Sequence, residues 1–245
     1  MKKDLIIFVI MWLAVTAVGE WLVLSTNIFP LQAAAEAIII DDAFQFLLIL
    51  AVPVFTFVVV ALVYSIVRFR AREGGAPDAS PVHTSRPVTV TWFVVTSALA
   101  IFVIFNPGLK GLAELQSSAE PDLVVEVVAQ KWEWAYSYPQ YGLTIEDADE
   151  LVLPVDQQIR FEITTKDIIH SFWIPAFRLK MDAVPGQINT LQATPTITGA
   201  YAGDSNLRVQ CAELCGTGHT RMRTDVRIVE QEEFEAWIAE MTTNP

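Results

Sequence analysis

Val88-Thr-Val-Thr-Trp-Phe-Val-Val-Thr-Ser-Ala-Leu-Ala-Ile-Phe-Val-Ile-Phe105 runs 18 residues without a charge, and Asn106-Pro107-Gly108 follows it. A helix needs roughly 20 apolar residues to cross a bilayer, so this stretch reads as a membrane span that the Asn-Pro-Gly turn ends. The stretch divides the chain into two kinds of sequence. Upstream lie Ala43–Val67, 25 residues without a charge, and Leu5–Leu24, 20 residues broken only by Glu20. Downstream, Gly108–Pro245 carries 10 basic and 21 acidic residues. Of the 245 residues, 53% are hydrophobic and only 18% charged, against ~25% charged in a soluble domain. Such a chain has ample apolar surface to offset the entropy of ordering, which excludes disorder. A net charge of −12 repels a polyanion and excludes nucleic acid as a partner. Two cysteines are too few for a disulfide scaffold. The expectation is a membrane protein with an acidic, water-exposed C-terminal domain.

Between the second and third apolar stretches lie Arg68, Arg70, Arg72 and Arg86 against Glu73 and Asp78. The positive-inside rule places this loop in the cytoplasm, and the third span then leads outward to the acidic domain. Lys2 and Lys3 keep the N-terminus inside, in agreement with three spans. A signal peptide is the rival reading for residues 1–42, because Ala33-Ala34-Ala35 follows the apolar run. A signal core is usually ~7–15 residues long, however, so the 20-residue run reads as a retained helix. Met1-Lys2-Lys3-Asp4, with no transit-peptide pattern, points to a prokaryotic plasma membrane. The organisation expected is an N-terminal apolar segment (1–42), a transmembrane helical hairpin (43–107) and an extracytoplasmic domain (108–245).

That domain reads as strands. Leu123–Ala129, Leu151–Leu153, Ile159–Thr165, Leu207–Gln210 and Asp225–Val229 are short and β-branched, and Pro, Gly, Asn and Asp separate them, as in a sandwich or barrel. The tail Gln231–Met241 places Phe234, Trp237, Ile238 and Met241 at helical spacing behind Glu232, Glu233 and Glu235, whose charges suit a helix N-terminus.

The chemistry is concentrated in Cys211-Ala-Glu213-Leu-Cys215-Gly-Thr-Gly-His219-Thr-Arg-Met222. Thiolate, imidazole and thioether are the soft and borderline donors that select copper over magnesium or calcium, and Gly216 and Gly218 suit a loop that wraps an ion. Two cysteines on an outer face could simply form a disulfide, but that leaves His219 and Met222 without a reason. Zinc accepts Cys and His but rarely Met. One Cys, one Met and two His suffice for a mononuclear blue-copper site; the second cysteine goes beyond that, and two thiolates can bridge two metals. The second histidine offered is His170, in Asp167-Ile-Ile-His170-Ser-Phe-Trp-Ile-Pro175, at the end of a predicted strand. His83 lies in the cytoplasmic loop and reads as a solvated loop residue.

These motifs resemble subunit II of the haem–copper cytochrome c oxidases. The family loop C-x-E-x-C-G-x-x-H-x-x-M is matched at every fixed place from Cys211 to Met222. The family's D-V-x-H-S-x-x-x-P is similar at Asp167, His170, Ser171 and Pro175. Leu179-Lys-Met-Asp182-Ala-Val-Pro185-Gly186 matches LKxDAxPG, and Lys131-Trp132-Glu-Trp134-Ala-Tyr136-Ser-Tyr138 resembles the aromatic stretch W-x-W-x-Y. The hairpin is similar as well, with His83 preceding Trp92 at the family interval. The resemblance covers about residues 43–240.

The resemblance implies an all-β, cupredoxin-like barrel behind the transmembrane helices, holding a binuclear copper centre, Cu-A. Cys211 and Cys215 would be bridging thiolates and His170 and His219 terminal imidazoles. Met222 would be the weak ligand of one copper, and the Glu213 carbonyl that of the other. The Glu213 side chain would reach a magnesium ion shared with subunit I. Trp132 would be where electrons arrive from cytochrome c or a small blue-copper protein, while Trp134, Tyr136 and Tyr138 read as packing. The partners implied are subunit I, with its haems and Cu-B, and subunit III; haem must come from another chain. Two places depart from the family: Thr89 stands where many members have a glutamate at the mouth of a proton path, and Gln187 replaces an arginine after the Pro-Gly pair. The span before the hairpin is an addition. A quinol oxidase subunit lacks the ligands present here, and nitrous oxide reductase lacks the hairpin. The Cu-A subunit of a nitric oxide reductase and a membrane-tethered copper carrier remain as alternatives.

Overall fold

The computed structural model describes residues 2–70, 85–115 and 120–243, and its contacts divide the chain into two compact units, Met1–Ile28 with Asp42–Glu114 and Phe29–Asp41 with Leu115–Pro245. His83 and most of the arginine-rich loop around it lie outside the described residues. Among those described, three helical segments are long and apolar enough to cross a membrane.

The first unit holds α1 (Lys2–Ser25), most of α2 (Ala35–Arg68) and α3 (Arg86–Val103). In an apolar solvent helices associate through close packing and interhelical hydrogen bonds rather than through hydrophobic burial, and α1 meets α2 in that way. The Thr16 and Thr56 hydroxyls lie 2.7 Å apart, and the Trp12 indole donates to the Pro53 carbonyl at 2.9 Å. Gly19 lies so close to α2 that a Cβ there would stand 2.8 Å from Val52. At the other end of α1, Asp4 accepts hydrogen bonds from Arg68 and Tyr64.

The third span does not stop at Asn106-Pro107-Gly108. Asn106 leaves the helical region for one residue, with φ −138° and ψ 114°. Helical winding resumes beyond Asn106 and continues into α4 (Lys110–Leu115). Proline removes one backbone donor and crowds the preceding turn, and here the outcome is a kink rather than an end.

The second unit is a β-sandwich. One sheet consists of β3 (Leu143–Ile145), β2 (Glu133–Tyr138), β1 (Leu123–Gln130), β5 (Ile159–Thr165) and β8 (Asn189–Ala193), in that order. The other consists of β4 (Glu150–Pro154), β11 (Arg223–Val229), β10 (Arg208–Cys211), β6 (His170–Ile174) and β7 (Leu179–Ala183), with β9 (Gly199–Ala200) paired to β11. Alternation sets which face is inside: Leu123, Val125, Val127 and Ala129 of β1 and Ile159, Phe161 and Ile163 of β5 are all buried, as a half-buried strand requires. The tail forms α5 (Gln231–Thr243), which buries Phe234 and Ile238 and packs Trp237 edge-on to Tyr138. Trp134, Tyr136 and Tyr138 are fully buried, in the packing role expected of them.

The Phe29–Asp41 segment is part of this second unit. Ala33 and Ala34 are fully buried. The Ala33 and Ala35 amides donate to the Ala176 and Thr194 carbonyls, and the Thr196 amide donates to the Ala33 carbonyl, all at 3.0 Å. Arg178 closes the segment with a fork on Asp41, Nε to Oδ1 at 2.8 Å and Nη2 to Oδ2 at 2.9 Å, and it also donates to the Pro30 and Leu31 carbonyls. Both side chains of the pair are almost wholly enclosed. Asp41→Ala should therefore destabilise the domain by roughly 3–5 kcal/mol, because it strands a buried guanidinium. Asp41→Leu with Arg178→Met should recover most of that loss. Thermal melting of the detergent-solubilised chain checks both, and an unchanged melting temperature for Asp41→Ala would show the clamp to be idle.

Candidate metal centre

The sheet register assembles the site. In the antiparallel pairing of β10 with β6, Cys211 faces Phe172, and the next rung is the Ala212 amide donating to the Ser171 carbonyl at 3.0 Å. This register places His170 beside the loop that leaves β10. His170 thus opens β6, whereas the sequence pattern predicts it at the end of a strand; Asp167 and its neighbours form the turn that precedes it. The loop from Ala212 to Gly218 then returns through a short 3-10 turn, His219–Arg221, into β11. The Cys211 amide donates to the Met222 carbonyl at 3.0 Å and closes the loop at its neck.

Within it the donors converge. The Cys211 and Cys215 sulfurs are 3.8 Å apart, far beyond the ~2.05 Å of a disulfide, and both cysteines are free and buried. Each sulfur has its own imidazole: His170 Nδ1 lies 3.9 Å from Cys211 Sγ, and His219 Nδ1 lies 3.5 Å from Cys215 Sγ. Met222 Sδ is 3.8 Å from Cys215 Sγ, and the Glu213 carbonyl is 3.2 Å from Cys211 Sγ. His170 and Met222 are fully buried, while the Glu213 side chain is exposed. His170, Cys211 and Cys215 alone form a cluster whose ligand atoms lie within 4.8 Å of one another. The candidate ligands drawn from the sequence are therefore all brought together, with Glu213 present through its backbone.

Burial and the adjacent Cys211 sulfur push the Cys215 thiol up to about 12. It keeps its proton at neutral pH, and a cation that takes the thiolate must displace that proton, so uptake weakens as pH falls. Asp167 is the supporting residue to which the sequence motif assigns no role. Burial raises its carboxyl, but hydrogen bonds from His170, the Ile168 and Lys131 amides and Thr165 outweigh that and hold it at about 2. It stays ionised, 2.9 Å from His170 Nε2, which orients the ring with Nδ1 toward the Cys211 sulfur. The signal available was its position, three residues before a candidate ligand.

Two thiols, two imidazoles, a thioether and a carbonyl fit copper. Tetrahedral zinc would use four of these donors and leave the thioether over. Trp132 lies over the loop, half-buried, with its indole N–H donating to the Cys215 carbonyl at 3.0 Å.

Residues 143–229 match the sequence profile of the cytochrome c oxidase subunit II periplasmic domain. The chain is 30% identical to cytochrome c oxidase subunit 2 of Thermostichus vulcanus, over 91% of this chain and 81% of that one. It is 26% identical to the protein of the same name from Synechocystis, over 96% and 82%. Among solved structures, the crystal structure of the periplasmic domain of subunit II of cytochrome oxidase of Bradyrhizobium japonicum is similar, at 32% identity over 51% of this chain and 96% of that one, with a TM-score of 0.46.

Proposed function

The chain belongs to the cytochrome c oxidase subunit II family, and on that premise we propose that it accepts electrons at a binuclear Cu-A centre and delivers them to the haem of subunit I for the reduction of O2 to water. The observation that carries this reading is the pairing of two free, buried sulfurs, each with its own imidazole nitrogen. A binuclear copper centre, when bound, supplies one-electron acceptance. The protein's part is to hold the donors still. Cys211, Cys215, His170 and His219 would hold the centre, with Met222 and the Glu213 carbonyl as weaker ligands. Sheet register fixes Cys211 and His170, the loop neck fixes Met222, and Asp167 fixes one imidazole. A rigid set of soft ligands needs little rearrangement between redox states. Burial of the sulfurs excludes water from them. By itself the chain reduces no O2; it would act with subunits I and III.

The exposed Glu213 carboxylate is the group we assign to a magnesium ion shared with subunit I. We read the chain as a multi-pass protein of a prokaryotic plasma membrane, with residues 1–42 retained, the hairpin at 43–107 and the domain from 108 onward on the outer face; three helices long and apolar enough to cross a membrane support this reading. The packing of α1 on α2 and the burial of Ala33-Ala34 support retention. The acidic domain would attract a basic donor, cytochrome c or a small blue-copper protein, and raise its encounter rate.

The direct test is rapid mixing of the copper-loaded, full-length chain with reduced cytochrome c, and separately with a reduced blue-copper protein. Oxidation of the donor in step with bleaching of the copper absorption is expected; a donor that stays reduced would overturn the reading. A milder prediction concerns Met222. Met222→Leu conserves volume and should cost under about 1.5 kcal/mol of stability. It should keep copper but shift the reduction potential, because a weak ligand tunes rather than holds. A redox titration reads this, and loss of copper would make Met222 a holding ligand instead.

A further inference from the structure

Gly218 is not a glycine for the sake of its backbone, because its φ of −92° and ψ of 1° are open to other residues. What excludes a side chain there is Trp132. A Cβ at Gly218 would stand 2.2 Å from Cδ2, 2.4 Å from Cγ and 2.6 Å from Cε3 of the indole. Cγ is the root of a rigid ring, so no small rotation at the end of the side chain relieves the clash. Gly216 differs: its φ of +108° itself calls for glycine, and a Cβ there would meet the indole at an ordinary 3.5 Å. The two glycines make a flat floor, and the indole lies on it with its N–H on the Cys215 carbonyl, 3.0 Å away. A second tether holds the residue before it, where the Lys131 amide donates to Asp167 Oδ2 at 2.9 Å.

We propose that Gly218 is a positioning residue for electron transfer: the absence of a side chain at 218 seats the Trp132 indole on the metal loop, hydrogen-bonded to the carbonyl of Cys215. The inference rests on Trp132 being the port for electrons. From that port, one hydrogen bond and the covalent bonds of a single residue lead to the Cys215 sulfur. A methyl group at 218 lifts the ring and breaks that hydrogen bond while leaving every sulfur, imidazole and thioether in place.

The experiment compares Gly218→Ala, Trp132→Gln and the double variant in the full-length, copper-loaded chain. Gly218→Ala should keep its copper content and EPR spectrum. In the reduced, 15N-tryptophan-labelled chain, the Trp132 indole N–H resonance, identified by its loss in Trp132→Phe, should shift and exchange faster with solvent. Electron uptake from reduced cytochrome c should slow at least about tenfold, since a misplacement of about 1 Å can cost up to ~100-fold where geometry sets a rate. The double variant should be no slower than Trp132→Gln alone, because both substitutions act on one contact. Loss of copper in Gly218→Ala, a native rate with an unmoved indole resonance, or a double variant slowed by the product of the two single effects would each overturn the proposal while leaving the port in place. Native electron uptake in Trp132→Gln would instead remove the port, and the proposal with it.

Discussion

Cys215→Ser should abolish the binuclear centre outright. Its sulfur is the hub of the donor set, within 3.8 Å of the Cys211 sulfur and of Met222 Sδ and 3.5 Å from His219 Nδ1. A hydroxyl there is a harder and far less acidic donor, which does not bridge soft metals as a thiolate does. The parent chain should bind two coppers and show the EPR signal of one unpaired electron shared between them. Cys215→Ser should lose that signal and retain at most one copper, held by Cys211, His170 and the Glu213 carbonyl. The domain itself should stay folded, because the exchange removes little volume from a site at the edge of the core. Metal analysis and EPR on the full-length chain decide the matter. A parent chain with a single copper and a mononuclear blue spectrum, or with a single zinc, would sink the binuclear reading. So would a shared-electron signal that survives in Cys215→Ser.

The candidate ligands were legible because their chemistry is local. Five of the six candidate donors lie between Cys211 and Met222, and the types themselves name a soft metal. Geometry was legible where alternation is clean, as in β1 and β5, which bury every second residue. It was not legible in β2 or β6, which bury three residues in succession; covered on both faces, they show no period of two for a pattern to find. His170 was displaced to the wrong end of a strand for that reason. Ala33-Ala34-Ala35 has the composition of a cleavage site, and its backbone pairs with residues more than a hundred positions away, which no local pattern announces. The seat of Trp132 is equally remote: the indole meets a carbonyl 83 positions along the chain, and nothing in either segment announces the other. Tertiary contacts of this kind leave no mark in the local sequence.

Trp132→Gln should slow electron uptake by orders of magnitude while leaving the copper spectrum intact. The two effects separate because no atom of Trp132 is among the candidate donors; its tie to the site is a hydrogen bond to the Cys215 carbonyl. A tryptophan that only filled the core would behave differently. Its truncation would cost roughly 3–5 kcal/mol and loosen the copper loop, so copper content and stability would fall together. Trp132 is instead half-buried, with one face on the glycine floor, so a milder loss of stability and full copper occupancy are expected. Glutamine removes the aromatic ring through which an electron would pass and leaves the acidic surface unchanged. Donor binding should therefore keep its dependence on salt, weakening as screening shortens to about 10 Å at 0.1 M, while the rate within the complex collapses. Trp132→Phe retains a ring but loses the N–H, and it should fall between the parent and Trp132→Gln if the hydrogen bond contributes to the path. Stopped-flow traces over a salt series separate association from transfer. A Trp132→Gln chain that loses copper, or that takes up electrons at the parent rate, would return Trp132 to a packing role.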